Sequence, residues 1–170
     1  MNKILILLSV VLLTACYNEV LSKNLIERDG IKYEVNSQTP FTGSSVSSYE
    51  NGQLEAKENW KDGELDGLRE TYYDNGQLMY KGAYKDGNKE GLWAWYHQNG
   101  ELWSKGNFKD GMFIGNLYES YYDNGQLMSK ENYKDGKRDG LYESFQRNGQ
   151  LETKSCYVNS GEVDISYCEK

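Results

Sequence analysis

Between Tyr49 and Lys154, apolar, polar and turn-forming positions recur in one fixed order five times. Each copy opens on Asn-Gly, then Gln or Glu, then Leu. An aromatic follows six residues after that Leu. The first four copies go on to Lys-Asp-Gly, a second glycine four residues later, and a tyrosine-rich run. The Asn-Gly glycines are Gly52, Gly76, Gly100, Gly125 and Gly149, so the spacings are 24, 24, 25 and 24 residues. A constant period in this range marks a repeat architecture in which each unit leans on its neighbours.

Each copy predicts two strands and two turns. The first strand carries Leu54, Leu78, Leu102, Leu127 or Leu151. Six residues on it carries Trp60, Tyr84, Phe108, Tyr133 or Tyr157. Strand side chains alternate, so an even separation places leucine and aromatic on one face. The second strand runs from Leu68, Leu92, Leu117 or Leu141 to Tyr72, Tyr96, Tyr121 or Phe145. Aromatics favour strands and pair across them. Asn-Gly and Asp-Gly supply the positive φ of tight hairpins. Lys-Asp-Gly closes the hairpin inside a unit, and the Asp-Asn-Gly stretches at 74–76 and 123–125 join units. Asn116 is the extra residue in the 25-residue spacing, and is expected to form a β-bulge. No segment carries a 3.6-residue apolar stripe, so helix is not expected.

The fold class expected is all-β: an elongated, twisted, single-layer antiparallel meander of stacked hairpins with about twelve strands. Residues 29–50 read as a degenerate first unit, with a strand at Ile31 to Val35, a Pro40-Phe41-Thr42-Gly43 turn and a strand to Tyr49. The single proline suits an edge or cap. With no second layer encoded, the core is expected on the face shared by leucines and aromatics.

The ends differ in kind. Lys3 precedes an apolar run from Ile4 to Leu13, about half of the ~20 residues a spanning helix needs and suited to a signal-peptide core. Leu13-Thr14-Ala15-Cys16 resembles a bacterial lipobox, which implies cleavage before Cys16 and a lipid on its sulfur. Tyr17 rather than Asp follows, so the resemblance favours the outer membrane of a Gram-negative envelope. The domains expected are 1–15 signal peptide, 16–28 tether and 29–170 repeat domain. The full chain carries a formal charge of −7, the wrong sign for nucleic acid. Cys156 and Cys168 remain as a pair in an exported chain, and a disulfide staple is expected. In a regular unit these two positions are diagonal, roughly 7–8 Å apart against about 4.4–6.8 Å for a disulfide. Ser160 and Asp164 stand where glycines recur elsewhere and Gly161 is one residue late, so a changed last loop is expected to bring the pair together.

The units resemble the bacterial variant of the membrane occupation and recognition nexus (MORN) repeat. Tyr73-Asp74-Asn75-Gly76-Gln77-Leu78, Asn132-Tyr133-Lys134-Asp135-Gly136 and Gly91-Leu92-Trp93-Ala94-Trp95-Tyr96 carry the likeness, which covers about residues 29–157. It implies an elongated sheet of stacked hairpins. Many bacterial members bear the label YwqK-type antitoxin, which implies a toxin-neutralising role. The rhythm of glycine and aromatic residues is also similar to choline- and glucan-binding hairpin repeats.

Candidate chemistry is sparse. His97 stands in a column held elsewhere by Tyr73, Tyr122 and Gln146, so it reads as a structural variant. One histidine and a lone cysteine pair assemble no catalytic triad and no zinc site. Asp62 and Asp66 are spaced too loosely for a calcium loop, and carboxylates of this kind serve turns. No phosphate loop is present, and no cofactor or metal is expected. The column of Arg69, Trp93, Tyr118 and Tyr142, with its neighbour Trp95, is expected to face away from the leucines, and Trp103 adds to the same central units. Exposed aromatics anchor proteins and stack on sugars alike. The expectation is therefore a non-catalytic, envelope-anchored scaffold with a protein partner, and glycan binding through Trp93, Trp95 and Trp103 stays open as the alternative.

Overall fold

The computed structural model describes residues 19–115 and 117–169. Cys16, the signal segment and Asn116 lie outside the described residues. The architecture is all-β. A thirteen-stranded open sheet runs almost entirely in chain order, with a separate two-stranded hairpin near its start. The strands are β1 (Glu19–Leu21), β2 (Leu25–Arg28), β3 (Ile31–Glu34), β4 (Gly43–Ser48), β5 (Leu54–Lys61), β6 (Glu64–Tyr72), β7 (Leu78–Lys85), β8 (Asn88–Tyr96) and β9 (Leu102–Lys109). They continue with β10 (Met112–Phe113), β11 (Leu117–Tyr121), β12 (Leu127–Lys134), β13 (Lys137–Phe145), β14 (Leu151–Val158) and β15 (Gly161–Val163). Among the described residues no helix is long and apolar enough to cross a membrane.

Two turn types alternate. At Lys-Asp-Gly both central residues have positive φ, as at Asp62 (50°) and Gly63 (83°). This two-residue turn matches the right-handed twist of its strands. At the unit junctions only the glycine is left-handed, as at Gly76 (83°). The Asn75 carboxamide oxygen accepts from the Gln77 amide at 3.0 Å, and its Nδ2 donates to the Gln98 carbonyl at 2.9 Å. Asn51, Asn99 and Asn124 do the same in their own units, donating to the Asp74, Asp123 and Arg147 carbonyls. Tyr49, Tyr73 and Tyr122 add hydroxyl bonds to the carbonyls of Tyr72, Tyr96 and Phe145. Each junction is thus tied to the next one along.

The second glycine is a bulge point in three units, at Gly67, Gly91 and Gly140. Pairing shifts between Glu58 and Trp60, between Lys81 and Ala83, and between Glu131 and Tyr133. The strand opposite contains Gly67 (109°), Gly91 (70°) and Gly140 (112°) in these intervals. These bulges recur within units.

Three expectations are corrected. Residues 19–28, expected as tether, hold β1 and β2. Strand β1 pairs parallel with β4, and β2 pairs with β3 in the separate hairpin. Val20 and Leu21 lie along the edge of β4, opposite Ser45 and Val46. The leucines and aromatics do not share one core face. A further register shift lies between Leu54 and Ala56, so the even count from Leu54 to Trp60 does not preserve a side. Leu68, Leu92 and Leu117 are exposed, Leu92 by 59%, whereas Trp93 is 1% exposed. Finally, the last hairpin turn is regular. Asn159 (50°) and Ser160 (69°) adopt the conformation of Asp62 and Gly63 without a glycine. The departure comes at Asp164, which replaces the bulge glycine and accepts from the Ser166 amide at 3.0 Å. That cap starts a 3-10 turn over Ile165–Tyr167. The turn returns Cys168 to Cys156, and the two form a disulfide with Cα atoms 5.9 Å apart.

Candidate functional site

The bulges and turns set one face of the sheet with three neighbouring columns. Nearest the unit junctions the register aligns Ala56, Thr71, Tyr80, Trp95, Ser104, Ser120, Ser129 and Ser144. The small members are packed away: Ser104, Ser120 and Ser129 are buried, and the last two share a hydroxyl bond of 2.7 Å. The middle column reads Glu58, Arg69, Gly82, Trp93, Gly106, Tyr118, Glu131 and Tyr142 along the sheet. The third, nearest the Lys-Asp-Gly turns, holds Trp60, Leu65, Tyr84, Lys89, Phe108, Phe113, Tyr133, Arg138 and Tyr157.

Trp93 is the centre of this face. Its indole contacts Tyr80, Tyr84, Trp95 and Phe108, with ring centroids 5.0 to 6.4 Å apart. Its Nε1 donates to the Ala83 carbonyl at 3.0 Å, so the one polar atom of a buried ring is satisfied. A second cluster centres on Phe113, against Phe108, Tyr118 and Tyr133. Glycines make both clusters fit. A Cβ on Gly106 would meet the Phe113 ring at 2.7 Å. At the N-terminal end Trp60 donates to the fully buried Ser45 hydroxyl at 2.9 Å. A cavity of about 310 Å³ lies between β2–β3 and the first repeat, lined by Leu25, Lys32, Glu58, Trp60, Leu65 and Arg69.

Cations sit on the rings. The Arg69 guanidinium lies 5.6 Å from the Tyr80 ring centre and forms a 3.0 Å ion pair with Glu58. Arg138 covers Tyr142 and Tyr157 and pairs with Glu131 at 2.7 Å. Lys89 stands over Trp93 at 4.5 Å. Burial, and then the charge of Arg69, hold the Lys89 ammonium pKa below its ordinary value. This face thus carries three cations on aromatic surface, with the Glu58 and Glu131 carboxylates beside two of them.

The residues singled out from sequence divide between two faces. Trp93, Trp95, Tyr118 and Tyr142 share the face just described. Trp103 belongs to the other face, since Ser104 and Gly106 point inward on β9. Trp103 is 42% exposed, and its ring neighbour is His97 at 6.4 Å. The three tryptophans of the glycan alternative therefore form no common stacking plane. His97 Nε2 lies 2.9 Å from the Tyr121 carbonyl, in the bond that tyrosine hydroxyls make in neighbouring units. A carbonyl only accepts, so that nitrogen carries the proton. Lys89, Phe113, Arg69 as a paired cation and the bulge role of the second glycines escaped the sequence reading. The signal for them was present in Leu65, Lys89, Phe113 and Arg138, one variable position at a fixed offset after each Lys-Asp-Gly. Among the described residues no group of three His, Cys, Asp or Glu side chains is placed to hold a metal ion.

Comparison with known proteins agrees with this geometry at the level of the repeat. The family model of the MORN repeat variant matches residues 41–62, 65–86, 89–110, 115–135 and 138–159. No curated protein matches the chain. Among solved structures, the chain is similar to a mutant of S. aureus TarM, crystallised with fondaparinux, alpha-GlcNAc-glycerol and UDP. The identity is 12% and the TM-score 0.34, over 69% of this chain and 21% of that one, a likeness too slight to carry an argument. Five consecutive matches across one continuous sheet, each spanning a hairpin of the observed kind, place the chain in the MORN repeat variant family.

Proposed function

We propose that this chain is an envelope-anchored, non-catalytic scaffold that holds a protein partner. The observation that carries the reading is the aromatic face. The backbone frame repeats unit by unit, while the side chains at fixed positions vary from Leu65 to Lys89, Phe113 and Arg138. A constant frame with variable surface positions is how repeat proteins present extended binding faces. The lipobox-like Leu13-Thr14-Ala15-Cys16 supports anchoring through Cys16, and Tyr17 supports the outer membrane in a Gram-negative envelope. Neutralisation of a toxin is the form of this role that the resemblance implies.

Two measurements test the reading. Cys16→Ala is expected to move the protein from the membrane to the soluble exported fraction, and unchanged fractionation overturns the anchor. Pull-down from envelope extract is expected to capture a protein. Sedimentation with peptidoglycan or polysaccharide that is lost in Trp95→Ala and Trp103→Ala, with no protein captured, decides for glycan binding instead.

A further inference from the structure

Three cations lie on the aromatic face, and two of them have carboxylate partners. Arg69 pairs with Glu58 and Arg138 with Glu131. Lys89 does not. Its Nζ stands 4.5, 5.1 and 5.2 Å from the ring centres of Trp93, Trp95 and Phe108. Among the described residues, no carboxylate lies within ion-pairing distance of it. The register gives the reason. The column that supplies Glu58 and Glu131 holds glycine in the two intervening copies, Gly82 and Gly106. These lie on β7 and β9, the strands on either side of Lys89. Both glycines are sterically required, because the Trp93 and Phe113 rings occupy the space a side chain would fill.

A half-buried ammonium gives up hydration, and rings return only part of that loss. The depressed Lys89 pKa reflects this imbalance. An incoming anion would restore it.

We infer that Lys89, with Trp95 and Phe108 beside it, is the docking point for a carboxylate side chain on an acidic segment of the partner protein. The inference rests on the scaffold reading above and names the chemistry of the contact. Charge complementarity selects the occupant. A sugar needs an exposed ring plane, and Trp93 at the centre is 1% exposed. An anionic bilayer is met by clusters of several basic residues, whereas Lys89 is a single unpaired cation, its neighbours Arg69 and Arg138 being paired with Glu58 and Glu131. A peptide carboxylate flanked by apolar side chains satisfies both the ammonium and the rings.

The test uses the purified full-length protein in neutral detergent and a fluorescently labelled hexaglutamate peptide, followed by anisotropy. Wild type is expected to bind, more weakly as salt rises. Lys89→Gln is expected to lose at least about tenfold in affinity. Lys89→Arg, which keeps the charge, retains binding, and so does Lys105→Gln, whose lysine pairs with Glu119 away from this face. Thermal melts confirm that each variant is folded. Equal affinity in Lys89→Gln, no binding by wild type, or preference for oligogalacturonate or for phosphatidylglycerol vesicles over the peptide overturns the inference. In the envelope pull-down, a partner captured equally by wild type and Lys89→Gln removes this inference and leaves the scaffold reading. Failure of wild type to capture any protein removes the scaffold reading itself.

Discussion

The Trp93 indole rests against the backbone of Gly82, so close that a Cβ on that glycine would stand 2.2 Å from the ring. The largest fully buried side chain among the described residues is therefore admitted by the absence of one on the neighbouring strand. Gly82→Ala is expected to destabilise the protein by about 1–3 kcal/mol, the usual cost of overpacking a close-packed site. Urea unfolding followed by tryptophan fluorescence measures it, and an unchanged midpoint contradicts the packing described.

The junction asparagines make a second prediction. Asn75 accepts within its own turn and donates to Gln98 in the next. Asn75→Ala removes both bonds and should cost about 1–3 kcal/mol at roughly 0.5–1.5 kcal/mol each. Asn75→Asp keeps the acceptor alone and should fall between wild type and Asn75→Ala in denaturant midpoint.

His97 makes the inter-unit bond that tyrosine makes on either side of it. His97→Tyr should therefore leave the melting temperature within a few degrees of wild type. His97→Ala should lower it, because the Tyr121 carbonyl loses a donor at a cost of about 1 kcal/mol. If Tyr proves as damaging as Ala, the equivalence of the column fails.

Alkali should loosen the fold in a definite window. Burial, together with hydrogen bonds to Glu70 and Glu119, holds the Tyr72 and Tyr121 phenols above their ordinary value of 10.0. Tyr133 is also raised, first by burial and against the nearby Arg138. A raised acid pKa means the unfolded chain ionises first. Stability from these groups is then complete below the unfolded pKa and is lost as pH rises above it toward the folded value. Absorbance at the phenolate band should show a delayed tyrosine fraction in the folded protein that disappears in denaturant. Urea midpoints should begin to fall near pH 10, the unfolded value.

Reduction of Cys156–Cys168 should act locally. The bridge closes a 12-residue separation, for which loop entropy predicts a loss of roughly 3 kcal/mol. Cys156 is 1% exposed, so dithiothreitol should work slowly without denaturant. Hydrogen exchange should then rise in β14 and β15 while β5 to β9 stay protected. Uniform loosening along the sheet contradicts a terminal cap.

The hairpin frame could be read from sequence because Asp62-Gly63 and its copies permit few other backbone shapes. The faces could not. A one-layer sheet offers two faces of similar periodicity, and each bulge resets the side-chain count. Leu54 and Trp60 illustrate this, since the register shift between Leu54 and Ala56 breaks the even spacing between them. Burial is decided instead by which rings can lie against glycine, as Trp93 does on Gly82. The second bond of Asn75 was also hidden. Its turn role is local, but its reach to Gln98, 23 residues on, depends on how neighbouring junctions stack. Strands β1 and β2 carry three and four residues and little alternation, too little pattern to separate them from a tether.

The parallel pairing of β1 with β4 sets a standoff distance. Glu19 enters the sheet three residues after Cys16, and three extended residues reach at most about 10 Å. With a lipid on Cys16, the leash is too short for the sheet to roam. A lipid at that position would hold the β1–β4 edge at the height of the headgroups. At about 4.8 Å per strand, the disulfide-capped edge can extend on the order of 50–60 Å from it. Under the proposed anchoring, a partner would be met within that radius of the bilayer, with Lys89 midway along the sheet.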